Sequence, residues 1–310
     1  MKLIAPSYYP AFRCIADQCR HSCCIGWEID IDAESLEKYA SLPGELGEEV
    51  RTNIITEDGC AHFRLAEHDR CPFLNSDGLC RMILGFGEDV LCQICRDHPR
   101  FYHEFSDHTE VGLGLSCEAA AHLILAQTEP LEFITLENDG ANELPDEYEQ
   151  YILALRRQLL GLLEDESWAL EERLLNILDL CGISLPEKSG AEWAALFRSL
   201  ERLDSAWDTV LDTLTQPEQP LADEWDRPFI NLAAYFLFRH LPAALDDGEP
   251  EAHAAFAVLS TLILRRLFAA APRQSMDTLA ELSRMYSSEI EYSPENTDAL
   301  TELFRSGTEM

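Results

Sequence analysis

Ten of the eleven cysteines lie between Cys14 and Cys117, and only Cys181 stands beyond them. The series runs Cys14, Cys19, Cys23, Cys24, Cys60, Cys71, Cys80, Cys92, Cys95, Cys117. Cysteines crowd in this way for a disulfide framework or for a metal centre. The odd count, and an N-terminal stretch (MKLIAPSYYPAF) without the apolar core of a signal peptide, favour reduced thiols in the cytoplasm and therefore a metal. Soft thiolates select zinc, copper(I) or an Fe–S cluster. The spacing is not that of a radical CxxxCxxC run, because the position after Cys19 and Cys23 falls on Gly26. Nor is it a zinc ribbon, since Cys92-x2-Cys95 is the only CxxC.

The elements that must hold these thiols differ along the chain. Seven of the nine histidines and turn signals such as Asn75-Ser-Asp-Gly78 accompany the cysteines, so this part reads as loops and short elements. A helix is expected to start at Asp32, and another over Cys117–Gln127 with Ser116 as its N-cap. Glu129 to Pro145 reads as a polar connector. Beyond it, apolar residues recur at three- and four-residue spacing, which predicts helices. They fall over Tyr148–Leu163, Trp168–Cys181, Glu192–Leu203, Trp207–Leu214, Trp225–Leu245, His253–Ala271 and Met276–Tyr286, punctuated by prolines. Trp168, Trp193, Trp207 and Trp225 occupy core-like positions in this pattern. The expectation is a mainly α protein: a Cys-rich, loop-rich N-terminal metal-binding module (1–128) packed on a C-terminal helical bundle (145–310).

The 310 residues suffice for a substantial core. Residues 1–130 carry 10 Lys/Arg against 22 Asp/Glu and the rest 13 against 35, and the formal net charge is −34. Such a surface repels phosphate backbones and anionic lipid, so neither nucleic acid nor membrane is an expected partner. The longest uncharged apolar run in the C-terminal half, Ala254 to Leu264, is shorter than the roughly 20 residues of a membrane span. Val111-Gly-Leu-Gly-Leu115 lacks the third glycine of a dinucleotide loop.

Three blocks of residues resemble the flagellin lysine-N-methylases and, more loosely, a wider CxxCxxCC group of zinc- or iron-chelating proteins. They are Phe12-Arg-Cys14 with Cys19-Arg-His-Ser-Cys23-Cys24-Ile-Gly-Trp27; Cys71-Pro-Phe-Leu74 with Gly78-Leu-Cys80 and Gly87-Glu88; and Cys95 with Pro99-Arg100 and Leu115-Ser-Cys117. The resemblance implies a cytoplasmic enzyme carrying an Fe–S cluster (4Fe-4S, with zinc the alternative). Such an enzyme transfers methyl groups from S-adenosylmethionine to lysine ε-amines of flagellin or another lysine-bearing protein. Carried over residue by residue, its metal ligands are Cys14, Cys19, Cys23, Cys24, Cys71, Cys80, Cys95 and Cys117. Eight exceed the need of one four-iron cluster, so some are structural or a second metal is present. Cys60 and Cys92 do not match the pattern, although Cys92 is near enough to Cys95 to share a metal.

That chemistry needs a neutral lysine amine aligned with a sulfonium methyl. Aromatic faces suit both cations, and Tyr8, Tyr9, Trp27, Phe101 and Tyr102 lie beside the cysteine blocks. Arg100 suits the cosubstrate's carboxylate. The expected cosubstrate contacts are Trp27, Arg100 and Tyr102, with Glu28, Asp30, Asp32, Glu104 and Glu110 as candidate bases. Two other functions fit the same cysteines: a non-catalytic zinc- or Fe–S-binding scaffold or metal-handling protein, and an electron carrier.

Overall fold

A computed structural model of the chain describes residues 2–57, 59–140 and 144–305. Helix accounts for 57% and strand for 12%, so the protein is mainly α. In chain order the elements are β1 (Lys2–Pro6), α1 (Ala33–Ala40), α2 (Gly44–Thr52), β2 (Ile54–Glu57), β3 (Cys60–Phe63), α3 (Arg81–Phe86) and α4 (Gln93–Asp97). Then come β4 (Arg100–Glu104), β5 (His108–Leu113), α5 (Glu118–Leu125), β6 (Phe133–Asn138), α6 (Glu147–Leu163), α7 (Leu170–Cys181) and α8 (Gly190–Ser199). The chain closes with α9 (Ala206–Asp212), α10 (Asp226–His240), α11 (Ala244–Asp247), α12 (Pro250–Ala270), α13 (Met276–Tyr286), a π-helical turn over Ser287–Glu291, and α14 (Pro294–Thr301). It forms two compact units, Arg13–Phe101 and a second made of Met1–Phe12 with Tyr102–Met310.

In the Arg13–Phe101 unit, Asp32 caps α1 as its position predicts, accepting the Ser35 N–H at 2.9 Å. Its other oxygen accepts the Gln93 N–H at 2.8 Å, which ties the start of α4 to the start of α1. The Asn75-Ser-Asp-Gly78 turn forms. Asn75 Oδ1 accepts the N–H groups of Asp77 and Leu79, each at 2.9 Å, and Gly78 takes φ +77°, a conformation that only glycine adopts without strain. Tyr39, Phe63 and Phe73 make the aromatic centre of the core, with ring centroids 5.8 and 5.0 Å apart. Ile29, Ile31, Val50, Met82 and Val90 surround them.

The other unit contains a four-stranded sheet in the order β4-β5-β1-β6. There β1 runs parallel to β5 and antiparallel to β6. The sheet is a correction to the sequence reading. Phe133–Asn138 was expected within a polar connector, but Phe133, Ile134 and Leu136 give it enough apolar content to pair with β1. Residues 141–143 of that connector lie outside the described residues. All seven helices expected beyond residue 145 are present, with ends shifted by up to a few residues. Asp146 and Ser189 open α6 and α8 through capping boxes with Glu149 and Glu192.

Three local expectations are revised. The start of α5 is capped at Cys117 rather than Ser116, without a side-chain bond. Trp168 precedes α7 and is 48% exposed, whereas Trp193 and Trp207 are buried. Trp225 is half-buried and packs edge-on against Phe268 at 4.7 Å. Finally, α12 has 21 residues and is apolar enough to cross a membrane by length and composition. Its most apolar window is nevertheless 83% buried within the fold, as a core helix requires.

Candidate thiol centre

The loops of the Arg13–Phe101 unit bring five thiols into one core. Cys71 and Cys92 are buried in it, and Cys24, Cys80 and Cys95 pack against it. Backbone pairing sets these positions. The Cys71 N–H donates to the Cys24 carbonyl at 2.8 Å, joining the first and second cysteine blocks. An antiparallel bridge pairs Leu74 with Cys80 across the glycine turn. The Arg70 guanidinium braces that turn from outside, donating to the Asn75 carbonyl at 2.6 Å. Cys80 and Cys92 are the capping residues at the starts of α3 and α4, and Cys95 lies one turn into α4.

The five sulfurs feel one another. The Cys95 thiol donates to Cys92, which, against the opposing effect of burial, lowers the Cys92 thiol to about 7. The same bond, then burial, and then the charge of Cys92, Cys24 and Cys71 push Cys95 far up. Cys24 falls to about 7 because the Cys23 thiol donates to it, with smaller help from Ser22 and the Arg70 charge. Burial pushes Cys71 up to about 12 and raises Cys80 as well, with neighbouring thiolates adding to both. Tyr39, fully buried, keeps its hydroxyl near Cys92 without forming a full hydrogen bond. Thus two thiolates form readily near neutral pH and three resist, because negative charge accumulates in a dry core. A soft cation would remove that resistance. Among the described residues, no group of three or more His, Cys, Asp or Glu side chains stands at ligand spacing around one point. The five are gathered without being closed on a metal. All eleven cysteines are free thiols.

The remaining predicted ligands are placed elsewhere. Cys14 is exposed and accepts the Ala16 N–H at 3.4 Å, and Cys19 donates to the His21 carbonyl at 3.3 Å; both lie outside the core cluster. Cys23 is exposed and reaches the group through Cys24. Cys117 belongs to the other unit, and Cys60 is exposed on β3. Cys92, which the family pattern leaves out, is the most deeply buried of the five, and its signal in the sequence was the CxxC it forms with Cys95.

Trp27 is half-buried, donates its indole N–H to the Cys23 carbonyl at 2.5 Å and lies 5.9 Å from the His98 ring. Burial, with the Arg100 charge beside it, lowers His98 to about 4, so that ring is neutral. Arg100 donates to the Arg96 carbonyl at 3.0 Å, and Tyr102 is exposed on β4. Of the candidate bases, two are held too firmly ionised to take a proton. Burial disfavours the Glu110 carboxylate, but Arg156 outweighs it and holds the group at about 2. Asp32 is held at about 2 against burial by the Gln93 and Ser35 N–H groups.

The profile of the FliB lysine N-methylase C-terminal domain matches residues 136–310. The flagellar biosynthetic protein FliU of Salmonella muenchen is 29% identical over 126 residues, which are 39% of this chain and 75% of that protein. The lysine-N-methylase of Salmonella typhimurium is 26% identical over 126 residues, again 39% of this chain but 31% of the relative. The match thus spans about a third of the lysine-N-methylase's length. No solved structure matches the chain. With more than half of its length matched by the profile, the chain belongs to the FliB lysine N-methylase family.

Proposed function

We propose that the protein methylates lysine ε-amines of flagellin, using S-adenosylmethionine, and that the gathered thiols hold an Fe–S cluster or a zinc ion. The observation that carries this reading is the family match over residues 136–310 together with five converging thiols in Arg13–Phe101. The donor set fits a soft metal: Cys24, Cys71, Cys80, Cys92 and Cys95 are candidate ligands whose mutual repulsion as thiolates a cation would offset. Once bound, the metal would act as a clamp on a segment with a small apolar core. S-adenosylmethionine supplies an electrophilic methyl group. The lysine nitrogen lone pair forms the new N–C bond while the C–S bond breaks toward sulfur, and the amine's proton leaves to solvent. Of the expected cosubstrate contacts, Trp27 and Arg100 lie in residues 13–101, where the indole face would serve the sulfonium and the guanidinium the carboxylate.

A second reading, a metal-handling scaffold without catalysis, draws on one observation: the thiols lie outside the residues matched by the methylase profile. One experiment separates the two. The anaerobically purified full chain is incubated with flagellin and S-adenosylmethionine, and flagellin peptides are weighed. Methyl increments on lysine are expected. Unchanged lysine masses, with iron or zinc bound to the protein, would leave the scaffold reading in place of the enzyme.

A further inference from the structure

Tyr39, on α1, is 0% exposed in the thiol core, and its ring stacks on Phe63 at 5.8 Å as a phenylalanine would. Its hydroxyl fits less simply. It is buried and has no hydrogen-bond partner among the described residues. A hydroxyl left so destabilises a native fold and calls for an explanation. Two ties fix what it faces. Asp32, at the start of α1, accepts the Gln93 N–H at 2.8 Å, and Lys38, the residue before Tyr39, donates to the Asp89 carbonyl at 2.8 Å. Residues 89–93 are thereby held along α1, and Cys92, 1% exposed, comes beside the Tyr39 hydroxyl. The two groups feel each other but stop short of hydrogen-bond geometry.

The sulfurs of this core are furnished with donors. Backbone N–H groups reach them from two or three residues further along: Phe73 to Cys71, Met82 and Ile83 to Cys80, and Cys95 to Cys92. An N–H aimed at sulfur favours the thiolate, which is the form a metal ligand takes. In the metal-free fold the Cys92 sulfur also accepts the Cys95 S–H. Ligation through both residues removes that proton, because ligating thiols are deprotonated. Cys92 then carries charge and has lost a donor, while the Tyr39 O–H beside it is unspent. We infer that the Tyr39 hydroxyl donates a hydrogen bond to the Cys92 sulfur once that sulfur ligates a soft metal. Tyr39 is thus a positioning residue of the metal centre, and Cys92 one of its ligands. The inference rests on the reading of these thiols as a metal site, and on the buried, unpartnered hydroxyl for its choice of residue.

The test compares the full chain with Tyr39→Phe, which keeps the ring and removes only the hydroxyl. Zinc affinity at pH 7, measured by competition with a chromophoric chelator, is expected to fall about tenfold, as for a lost partner of a metal ligand. With cobalt(II) in place of zinc, the sulfur-to-cobalt charge-transfer band is expected to move to longer wavelength. A thiolate without its hydrogen bond gives up electron density more easily. The metal-free, reduced variant is expected to be at least as stable as metal-free wild type in urea unfolding followed by Trp27, since there the hydroxyl is unpaired. A merely structural tyrosine would reverse this pattern. Lower stability without metal, unchanged zinc affinity, or an unmoved cobalt band would each overturn the role and leave the metal reading standing. If the chain takes up only iron with sulfide, reduction potentials are compared instead. A lower potential is expected in Tyr39→Phe, and equal potentials would overturn the role. A wild-type chain that takes up neither zinc, cobalt(II) nor iron with sulfide would remove the metal reading, and the role of Tyr39 with it.

Discussion

Residues 13–101 and the helical unit bury their side chains in different ways. In the helical unit α10 and α12 are interior on nearly every face, and Phe197, Trp207, Tyr286 and Phe236 form a run of edge-on rings 5.7 to 6.5 Å apart. In residues 13–101 the apolar centre is one small cluster, and two of its buried members are the thiols Cys71 and Cys92. A unit of that size hides a smaller share of its surface than a large one. Small folds commonly add a covalent or metal staple for this reason. Thiols are concentrated where apolar burial is thinnest, so a metal in that unit would serve folding as well as chemistry.

The helical unit, by contrast, places charge in its interior, and the largest effect is expected there. The Glu291 side chain is fully buried, 2.7 Å from His240 Nε2 and 3.3 Å from Arg239 Nε. Glu291→Ala leaves Arg239 buried without that counter-charge and is expected to cost about 3–5 kcal/mol. Urea unfolding followed by tryptophan fluorescence checks it, since Trp193 and Trp207 report on this unit and Trp27 on the other. A loss confined to the Trp27 signal would contradict the division of labour described above.

Acid should separate the units next. The Glu110 carboxylate sits at about 2 in the fold against an ordinary 4.5. A depressed acid contributes stability above its unfolded value and loses it as the pH falls toward its folded one. The contribution, about 3 kcal/mol at 1.36 kcal/mol per unit, is therefore present at neutral pH and disappears between about 4.5 and 2. Glu110→Gln should flatten the stability of the helical unit across that window. Unchanged pH dependence in the variant would show that Arg156 does not hold Glu110 ionised.

How far these features could be read in advance follows the same contrast. The helices after residue 145 were legible because each carries a 3.6-residue apolar period and several carry a cap such as Ser189. The four-stranded sheet was not, because β1, β4, β5 and β6 are five or six residues each and β1, at the start of the chain, pairs with β5 and β6 far away in sequence. The cysteine order identified the family, but spacing could not say which sulfurs meet. Cys71 joins Cys24 through a backbone hydrogen bond across 47 positions, a relation without periodicity.

A smaller effect is expected in residues 13–101 at Asp32. This one carboxylate caps α1 and anchors the first N–H of α4, the helix that carries Cys95. Asp32→Ala is expected to cost about 1–2 kcal/mol, the upper part of the range for a lost cap. The variant should also loosen the thiol core, read as faster alkylation of Cys95 in chelator-treated protein. Lost stability with unchanged Cys95 labelling would mean that the cap and the thiols are independent.

The smallest effect comes from the closest chemical parallel between the units. Arg156 grips Glu110 with two hydrogen bonds of 2.7 and 2.5 Å, and Arg81 grips Glu49 with two of 2.6 Å. The geometries match, but the surroundings do not. The first pair is 6% and 2% exposed, the second 39% and 36%. Water around the second pair weakens its Coulomb attraction and already solvates both ions in the unfolded chain. Glu49→Ala is therefore expected to cost no more than about 1 kcal/mol, and about 0.5 M salt should erase most of that. The buried pair should respond little to the same salt. If a thermal-shift series in rising salt moved both variants alike, burial would not be what distinguishes the pairs. If only the Glu49 variant converged on wild type, the units would differ in environment rather than in bond geometry.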